Sequence, residues 1–265
     1  MTRLGAAIVL FAVVAAIAGP FVVPYDPADQ ALASRLDRPS WSHPFGLDEL
    51  GRDVLSRVLS GARISLLVGL LVVGISAAIG AGLGSAAGYF GGWVDDVISR
   101  IIDVLMAFPG ILLAIALVAV LGPSLTNVIV ALASIGWVGY ARLVRGQVLR
   151  AREFEFVLAA RALGARAPRV IGRHVLPSVL AALVVQASLG MAGAIIAEAS
   201  LSFLGLGVQP PTASWGTMLA GGRAHLLDAP HLTVCPGLAI AILVLGFNFL
   251  GDGLRDALDP RRPTH

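Results

Sequence analysis

The sequence contains no lysine, a single cysteine and few charges of either sign. All 19 of its basic residues are arginines. A nucleotide-binding P-loop requires a lysine that reaches the phosphates, and Schiff-base catalysis requires a lysine amine, so the chain can supply neither chemistry. The lone Cys235 excludes an internal disulfide and a multi-cysteine metal site. We interpret it as a small apolar residue close to a membrane span.

Charge is scarce because the chain is mostly apolar. Of its 265 residues, 57% are hydrophobic and 13% are charged, whereas a soluble domain carries about 25% charged residues. The mean hydropathy is +0.86. These values indicate a multi-pass membrane protein. A net charge of only +3 gives no reason to expect a nucleic-acid partner.

Six apolar runs are long enough to cross a bilayer as helices, which takes about 20 residues each. We predict spans at 4–23, 63–86, 98–121, 125–145, 178–200 and 236–254. The fold class is therefore an all-α membrane protein with six transmembrane helices. The first run could instead be a secretory signal peptide, because Arg3 precedes it and it contains small residues at Ala16 and Ala18. Its continuation to Pro24 favours a span.

The arginines predict the orientation. With the amino terminus inside, thirteen arginines lie on the cytoplasmic side and six lie outside. Cytoplasmic loops are enriched in basic residues, so both termini are predicted to be cytoplasmic, with 24–62 and 201–235 outside. Eight of the thirteen fall between Arg142 and Arg173, accompanied by only two acids.

This topology divides the chain into three parts. Residues 1–62 hold the first span and an extracytoplasmic segment, 63–254 form a core of five spans, and 255–265 form a cytoplasmic tail. Apolar positions from Leu47 to Leu59 recur at helical spacing. They predict an amphipathic helix that either lies at the membrane surface or packs on the protein itself.

The second and third spans carry residues that are unusual in a membrane. Gly80, Gly84 and Gly88 recur at every fourth position, which is typical of close helix packing. At the start of the third span, Arg100 lies among three acids, and we interpret this group as a solvated or paired cluster at the membrane interface. The acids are Asp95, Asp96 and Asp103.

Glu198 is a carboxylate near the outer end of the fifth span. A charge in a membrane segment is costly, so it usually faces a cavity or a partner. Together with Ser200 and Ser202, it is our candidate for a residue that lines or gates a translocation path. The alternative is an interfacial carboxylate that hydrogen-bonds a neighbouring loop. No HExxH or GxSxG motif is present, so we expect a non-catalytic chain without a metal site.

The arginine-rich stretch "EFVLAARALGARAPRVIGRHVLP", residues 155–177, resembles the EAA loop of binding-protein-dependent ABC importer permeases. The residues at the spacings of that loop are Ala159, Ala160, Gly164, Leu176 and Pro177. Leu158 occupies the position of the family's glutamate, for which Glu155 is the nearest substitute, and His174 replaces an isoleucine. Three further stretches resemble the dipeptide and oligopeptide branch: "HPFGLDELGRDVLSRVLSGARISLLVG", "EASLSFLGLGVQPPTASWGTML" and "GDGLRDALDPR".

The resemblance implies a type I ABC importer fold of the MetI-like kind, in a bacterial cell membrane. It implies four kinds of partner: a homologous permease, two ATPase domains on one or two chains, an extracytoplasmic substrate-binding protein and a peptide cargo. ATP and magnesium would bind to the ATPases, and no cofactor is expected in this chain. The same branch also resembles importers of nickel complexes, glutathione and other small cargo.

The loop at about 146–177 is the implied coupling element to the ATPases. The helical spacing of Glu155, Ala159, Ala160 and Leu163 predicts one shared face, Gly164 suits a helix end, and Pro177 suits a helix start. The arginines could set topology only, or they could also bind lipid headgroups at about 1 kcal/mol each or acids of the ATPase. Our coupling candidates are Glu155, Ala159, Ala160, Arg161, Leu163, Gly164, Arg169, His174 and Pro177.

Two other classes compete with this interpretation. A self-contained secondary transporter should show inverted repeats or ionisable residues deep in several spans, and the sequence shows neither. A membrane scaffold would not need so ordered a basic loop. An intramembrane enzyme should contain catalytic pairs inside the bilayer, and none is visible. Dependence of transport on ATP, and co-purification with an ATPase, would separate the three classes.

Overall fold

The computed structural model describes residues 2–258, apart from the side chain of Pro20. The predicted tail therefore lies outside the described residues from 259 onward, together with Arg261 and Arg262. The regular structure of the described part is helical. Its α-helices are α1 Thr2–Val22, α2 Val54–Phe90, α3 Gly92–Met106, α4 Gly110–Leu121, α5 Leu125–Ala151, α6 Glu155–Ala162, α7 Ala167–Val170, α8 Leu176–Phe203, α9 Trp215–Gly222 and α10 His231–Leu258.

Five helical stretches are long and apolar enough to cross a membrane: α1, α2, α5, the run Ala167–Phe203 and α10. The remaining predicted span, 98–121, is not a straight helix. It is divided between α3 and α4, which meet at an angle of 87°. If this bent pair crosses as one unit, the total is six crossings and both ends lie on the same side.

The break between α3 and α4 has a local cause at Pro109. Proline has no N–H to donate within a helix, and it disfavours helical geometry in the residue before it. After the break, α4 has 12 residues, which rise by about 18 Å. This length is well short of a hydrocarbon core of about 30 Å. The predicted third span is therefore interrupted at Pro109 and is not one straight helix.

Only the second half of the predicted amphipathic helix is helical: Val54–Leu59 form the first part of α2, whereas Leu47 lies before it in an isolated β-bridge with Asp53. Asp53 caps this helix by accepting a hydrogen bond from Ser56 N–H at 2.8 Å, so α2 begins at Val54 and runs into the membrane without a break. The side chains of Val54 and Val58 are buried. Trp215 Nε1 donates to the Val58 carbonyl at 2.9 Å, so this segment packs on the protein itself.

The main apolar cluster joins five helices near the extracytoplasmic side. Ala16 of α1, Val58 of α2, Ile195 of α8, Trp215 of α9 and Leu243 of α10 are all buried in it. The short α9 is therefore held between α2, α8 and α10. This arrangement ties the long extracytoplasmic segments to the spans.

The helices α2 and α5 approach each other at backbone distance. A Cβ atom at Gly80 would lie 2.8 Å from the Trp137 carbonyl oxygen, and one at Gly88 would lie 2.9 Å from that of Arg145. At Gly84 the distance to the Ala141 carbonyl oxygen would be 2.5 Å. No side chain fits at these three positions unless α5 moves away.

We expect Gly84→Leu to destabilise the protein and Gly82→Leu to leave it stable. The leucine at 84 would press on the backbone of α5, and overpacking typically costs about 1–3 kcal/mol. A Cβ at Gly82 would meet nothing within 4 Å, so the matched variant adds the same side chain on the outside of α2. Thermal unfolding in detergent measures both, and equal melting temperatures would show that α2 and α5 are not closely packed.

Candidate functional site: a cytoplasmic loop and a transmembrane cleft

The candidate coupling loop folds as two short helices joined by a glycine turn. Gly164 follows α6 with a φ of +80°. Gly164 N–H donates to the Arg161 carbonyl at 2.9 Å, and Ala165 N–H donates to that of Ala160 at 3.0 Å. These two bonds form a Schellman motif, which needs a residue that adopts positive φ without strain. The glycine thus fixes the angle between α6 and α7.

The second short helix continues into the span without interruption. A π-helical turn, Ile171–Val175, joins α7 to α8. Leu176 N–H donates to the Ile171 carbonyl across this wide turn, and Pro177 follows within the first turn of α8. Proline has no N–H, and a π-turn is one way in which a helix accommodates such an irregularity. His174 lies half-buried on this turn.

Valines anchor the loop to the cytoplasmic end of α5. Val157 of α6 and Val170 of α7 are fully buried, as are the next two valines along the chain. They pack against the last turns of α5 in one apolar cluster, so the loop is not free to swing. The members of this cluster are Val144, Val148, Ala151, Val157, Val170, Val175 and Val179.

The opposite side of α6 is uncovered within residues 2–258. Leu163 is 89% exposed and Leu158 is 44% exposed, and Glu155, Ala159 and Arg161 are exposed beside them. Ala160 is half-buried, whereas Gly164, Arg169 and Pro177 are exposed. Most of the predicted coupling residues are therefore accessible on the loop, whereas Ala160 and His174 are half-buried.

Three arginines of the basic stretch hold the base of the loop. Arg145 forms a two-bond ion pair with Asp95 of α3, in which Nη2 donates to Oδ2 at 2.7 Å. Arg152 Nη1 donates to the Gly88 carbonyl at the end of α2 at 3.1 Å. The third, Arg142, lies 3.5 Å from Asp103 in an exposed pair.

The sequence did not reveal these partners. It suggested a local cluster of three acids around Arg100, but Asp95 pairs with an arginine 50 positions away along the chain. Only the close packing of α5 beside α2 and α3 brings them together. The two-bond geometry of Arg145 with Asp95 is the strongest form of such a pair.

Glu198 lies in a sealed polar cluster near the extracytoplasmic end of α8. It is 0% exposed, and its Oε1 accepts a hydrogen bond from Ser202 Oγ at 2.7 Å. The hydroxyls of Ser65, on α2, and Ser214, before α9, face the same carboxyl group. Nevertheless, Glu198 Oε2 and Ser65 Oγ make no hydrogen bond of standard geometry within the described residues.

This geometry favours the structural interpretation of Glu198 over the gate. The carboxyl group joins α2, α8 and the loop before α9, and it does not line the cleft described below. Ser202 belongs to the same cluster. Ser200 Oγ instead donates to the Ile196 carbonyl of its own helix at 2.8 Å, so the three predicted gate residues do not form one site.

A cleft of about 310 Å³ lies in the membrane-spanning region between α2, α4, α5 and α8. Its walls include Gly136, Gly139 and Tyr140 of α5. Facing them are Gln186, Gly190 and Gly193 of α8. No sequence motif predicted this cleft, because its residues are spread over four helices.

Within residues 2–258 no group of three or more His, Cys, Asp or Glu side chains is placed to hold a metal ion.

The spanning helices and the helix pair of the loop give this chain the fold of a type I ABC importer permease. The MetNI methionine ABC transporter, in an inward-facing structure, has this fold with a TM-score of 0.61. The match covers 77% of this chain and 96% of that chain at 19% identity. An amino acid ABC transporter structure matches with a TM-score of 0.58 and 16% identity, over 77% of this chain and 95% of that one.

The chain belongs to the family of binding-protein-dependent transport system inner membrane components, whose model matches residues 56–263. It is 46% identical to the dipeptide transport system permease protein DppC of Alkalihalophilus pseudofirmus, over 97% of this chain and 84% of that protein. It is 50% identical to the glutathione transport system permease protein GsiD of Escherichia coli, over 98% of this chain and 86% of that protein. The predicted family, importer fold and membrane location are confirmed.

We expect Glu198→Gln to keep near-parental stability and Glu198→Leu to lose it. The glutamine amide can still accept from Ser202 and can donate to Ser65. Leucine has a similar size but leaves the buried hydroxyls without the group they face, at about 1–3 kcal/mol for an unsatisfied hydroxyl. Thermal unfolding of the assembled complex measures this difference. A Gln variant that assembles with normal stability but fails to transport would instead place Glu198 in the gate.

Proposed function

We propose that this chain is one of two permease subunits of an ATP-driven importer that carries di- and oligopeptides into the cell. A homologous permease would complete the path, and two ATPase domains would dock on the cytoplasmic loop. A binding protein would deliver the peptide from outside. The names of the two relatives, a dipeptide permease and a glutathione permease, support a cargo with peptide bonds.

The observation that carries this proposal is the uncovered face of α6. Leu163, with 89% of its surface exposed, is costly to leave in water, and the small Ala159 beside it lets a partner surface approach closely. The basic neighbours Arg161 and Arg169 are exposed as well. A partner with an apolar groove and acidic edges fits this surface.

The remainder of the loop is built to transmit a displacement. The buried valines fix α6 and α7 to the end of α5. The π-turn makes α7 and α8 one continuous run, Ala167–Phe203. A push on α6 would therefore reach the spans directly and would not be absorbed by a flexible linker. The cleft between α5 and α8 lies along this run, so the movement would reach it.

In this proposal the energy source lies outside these 265 residues. The chain has no lysine with which to build a P-loop, so ATP and magnesium are assigned to the ATPase partners. Of the alternatives from the sequence, a secondary transporter would follow an ion gradient. Uptake that persists when the gradient is collapsed, but stops when the ATPases cannot hydrolyse ATP, distinguishes the proposed importer.

We expect Gly164→Val to uncouple ATP hydrolysis from uptake and Gly164→Asn to remain active. A Cβ at this position meets nothing within 4 Å, but φ is +80°, which a β-branched residue adopts only with strain. Asparagine tolerates this region, so it controls for the loss of glycine alone. The measurements are ATPase co-purification, hydrolysis and uptake in proteoliposomes. Normal binding and parental transport by the Val variant would refute the coupling assignment.

The cargo assignment is tested separately with the parental protein. Proteoliposomes that contain the complete importer and its binding protein should accumulate labelled dialanine in the presence of ATP. Labelled glutathione tests the second candidate cargo, which the 50% identity to the glutathione permease favours. Uptake of a nickel complex without either peptide would contradict peptide import while leaving the importer class intact.

A further inference from the structure

We infer that the glycine-walled cleft between α5 and α8 holds the main chain of the passing peptide, and that Tyr140 and Gln186 are specificity-determining contacts within it. This inference rests on the proposed import function, and it assigns residues of this chain to the passage itself. The argument depends on two observations within residues 2–258: two glycines that no packing explains, Gly139 and Gly193, and a buried hydroxyl without a partner.

Two glycines of the cleft differ from those between α2 and α5. A Cβ at Gly139 or at Gly193 would meet nothing within 4 Å, although both lie inside long helices. Glycine is the least favourable residue in a helix interior after proline. Here no neighbouring backbone requires it, so the absence of a side chain keeps space open. Both glycines line the same cleft from opposite walls.

The hydroxyl of Tyr140 lies against the α8 wall of the cleft. Tyr140 is 5% exposed, and its hydroxyl oxygen has no hydrogen-bond partner in the described part of the chain. A Cβ at Gly190 would fall on this hydroxyl, so the side chain reaches from α5 to the wall formed by α8. A buried hydroxyl is costly to leave unpaired, and because Tyr140 lines the cleft, we infer that cargo entering the cleft displaces the side chain enough to pair with it.

The chemistry of the walls fits a peptide main chain. Gln186 carries an amide with both donor and acceptor atoms, and Ser76 of α2 adds a hydroxyl at the edge. No charged side chain lines the cleft within residues 2–258. A cleft that hydrogen-bonds the amide groups of the peptide main chain and is otherwise apolar would bind peptides with varied side chains. The volume of about 310 Å³ lies at the lower end of the range for ligand sites.

The other occupant to consider is a side chain of the homologous permease. Such packing would also fill a glycine-walled cleft, and it would be needed for assembly. That packing would hold the two permeases together whether or not cargo passes through the cleft. Variants that fill the cleft therefore separate the two cases, because one loses transport in an intact complex and the other loses the complex.

The test uses the complete importer in proteoliposomes with its binding protein, and labelled dialanine as the probe. Gly139→Leu and Gly193→Leu fill the cleft, and leucine favours the helix more than glycine does. The matched control is Gly74→Leu, because a Cβ at Gly74 also meets nothing within 4 Å but this residue lies on the outside of α2, away from the cleft. We expect both cleft variants to assemble and to lose roughly 10-fold or more of the uptake rate, as steric rejection in a binding site does, with the control unchanged.

Tyr140→Phe provides a second variant that should fold at least as well as the parent, because it removes an unpaired hydroxyl. We expect the uptake rate at saturating cargo to fall roughly 5- to 10-fold, the effect of one net hydrogen bond. The half-saturating cargo concentration should stay the same, because in the proposed importer the binding protein determines the affinity for cargo. A merely structural hydroxyl would leave the saturating rate unaltered.

Three results would overturn the inference. Parental uptake by both cleft-filling variants would exclude the cleft as the passage, and loss of the homologous permease from those variants would assign the cleft to subunit packing. Parental uptake by Tyr140→Phe would exclude the hydroxyl as a cargo contact. Failure of the parental importer to accumulate dialanine or glutathione is a different outcome, because it would refute peptide import and the peptide occupant together.

Discussion

The contact between the backbones of α2 and α5 is the interaction on which the other features depend. Gly80, Gly84 and Gly88 let the two helices touch along three turns. In a bilayer, lipid tails are as apolar as most side chains, so helices associate through close van der Waals contact. Once α5 is seated in this way, its other faces are available for different tasks. Its cytoplasmic end receives the valines of the loop, and its middle forms one wall of the cleft.

The same contact also explains why the basic stretch is not uniform in role. Arg145 and Arg152 lie on α5 and at its end, where they reach Asp95 on α3 and the last turn of α2. They are thus held by the packing of the spans. Arg161 and Arg169 lie further along, on the exposed helix pair, and neither forms an ion pair within residues 2–258. A basic loop that satisfied the positive-inside bias therefore divides into arginines that brace the fold and arginines that remain available to a partner or to lipid.

The sequence predicted the elements that a local pattern determines, and it missed those that depend on distant neighbours. Hydropathy located the spans, and the Gly164 and Pro177 positions located the turns of the loop, because each of these signals acts within a few residues. The break at Pro109 was missed because a long apolar run averages over a single proline. The burial of Glu198 among Ser65, Ser202 and Ser214 depends on three separate segments, and the cleft depends on four helices. No spacing along the chain encodes such a meeting of surfaces.

Helix α8 connects the three sites of this structure. At its cytoplasmic end it continues from the loop through the π-turn, in its middle Gly190 and Gly193 form a wall of the cleft, and near its outer end Glu198 joins α2 to the loop before α9. A helix held at only one end would bend when pushed, and the displacement would be lost in its first turns. Because the polar cluster also fixes the outer end, the proposed displacement of the loop would tilt the whole helix. The width of the cleft, which lies between the two fixed ends, would then change.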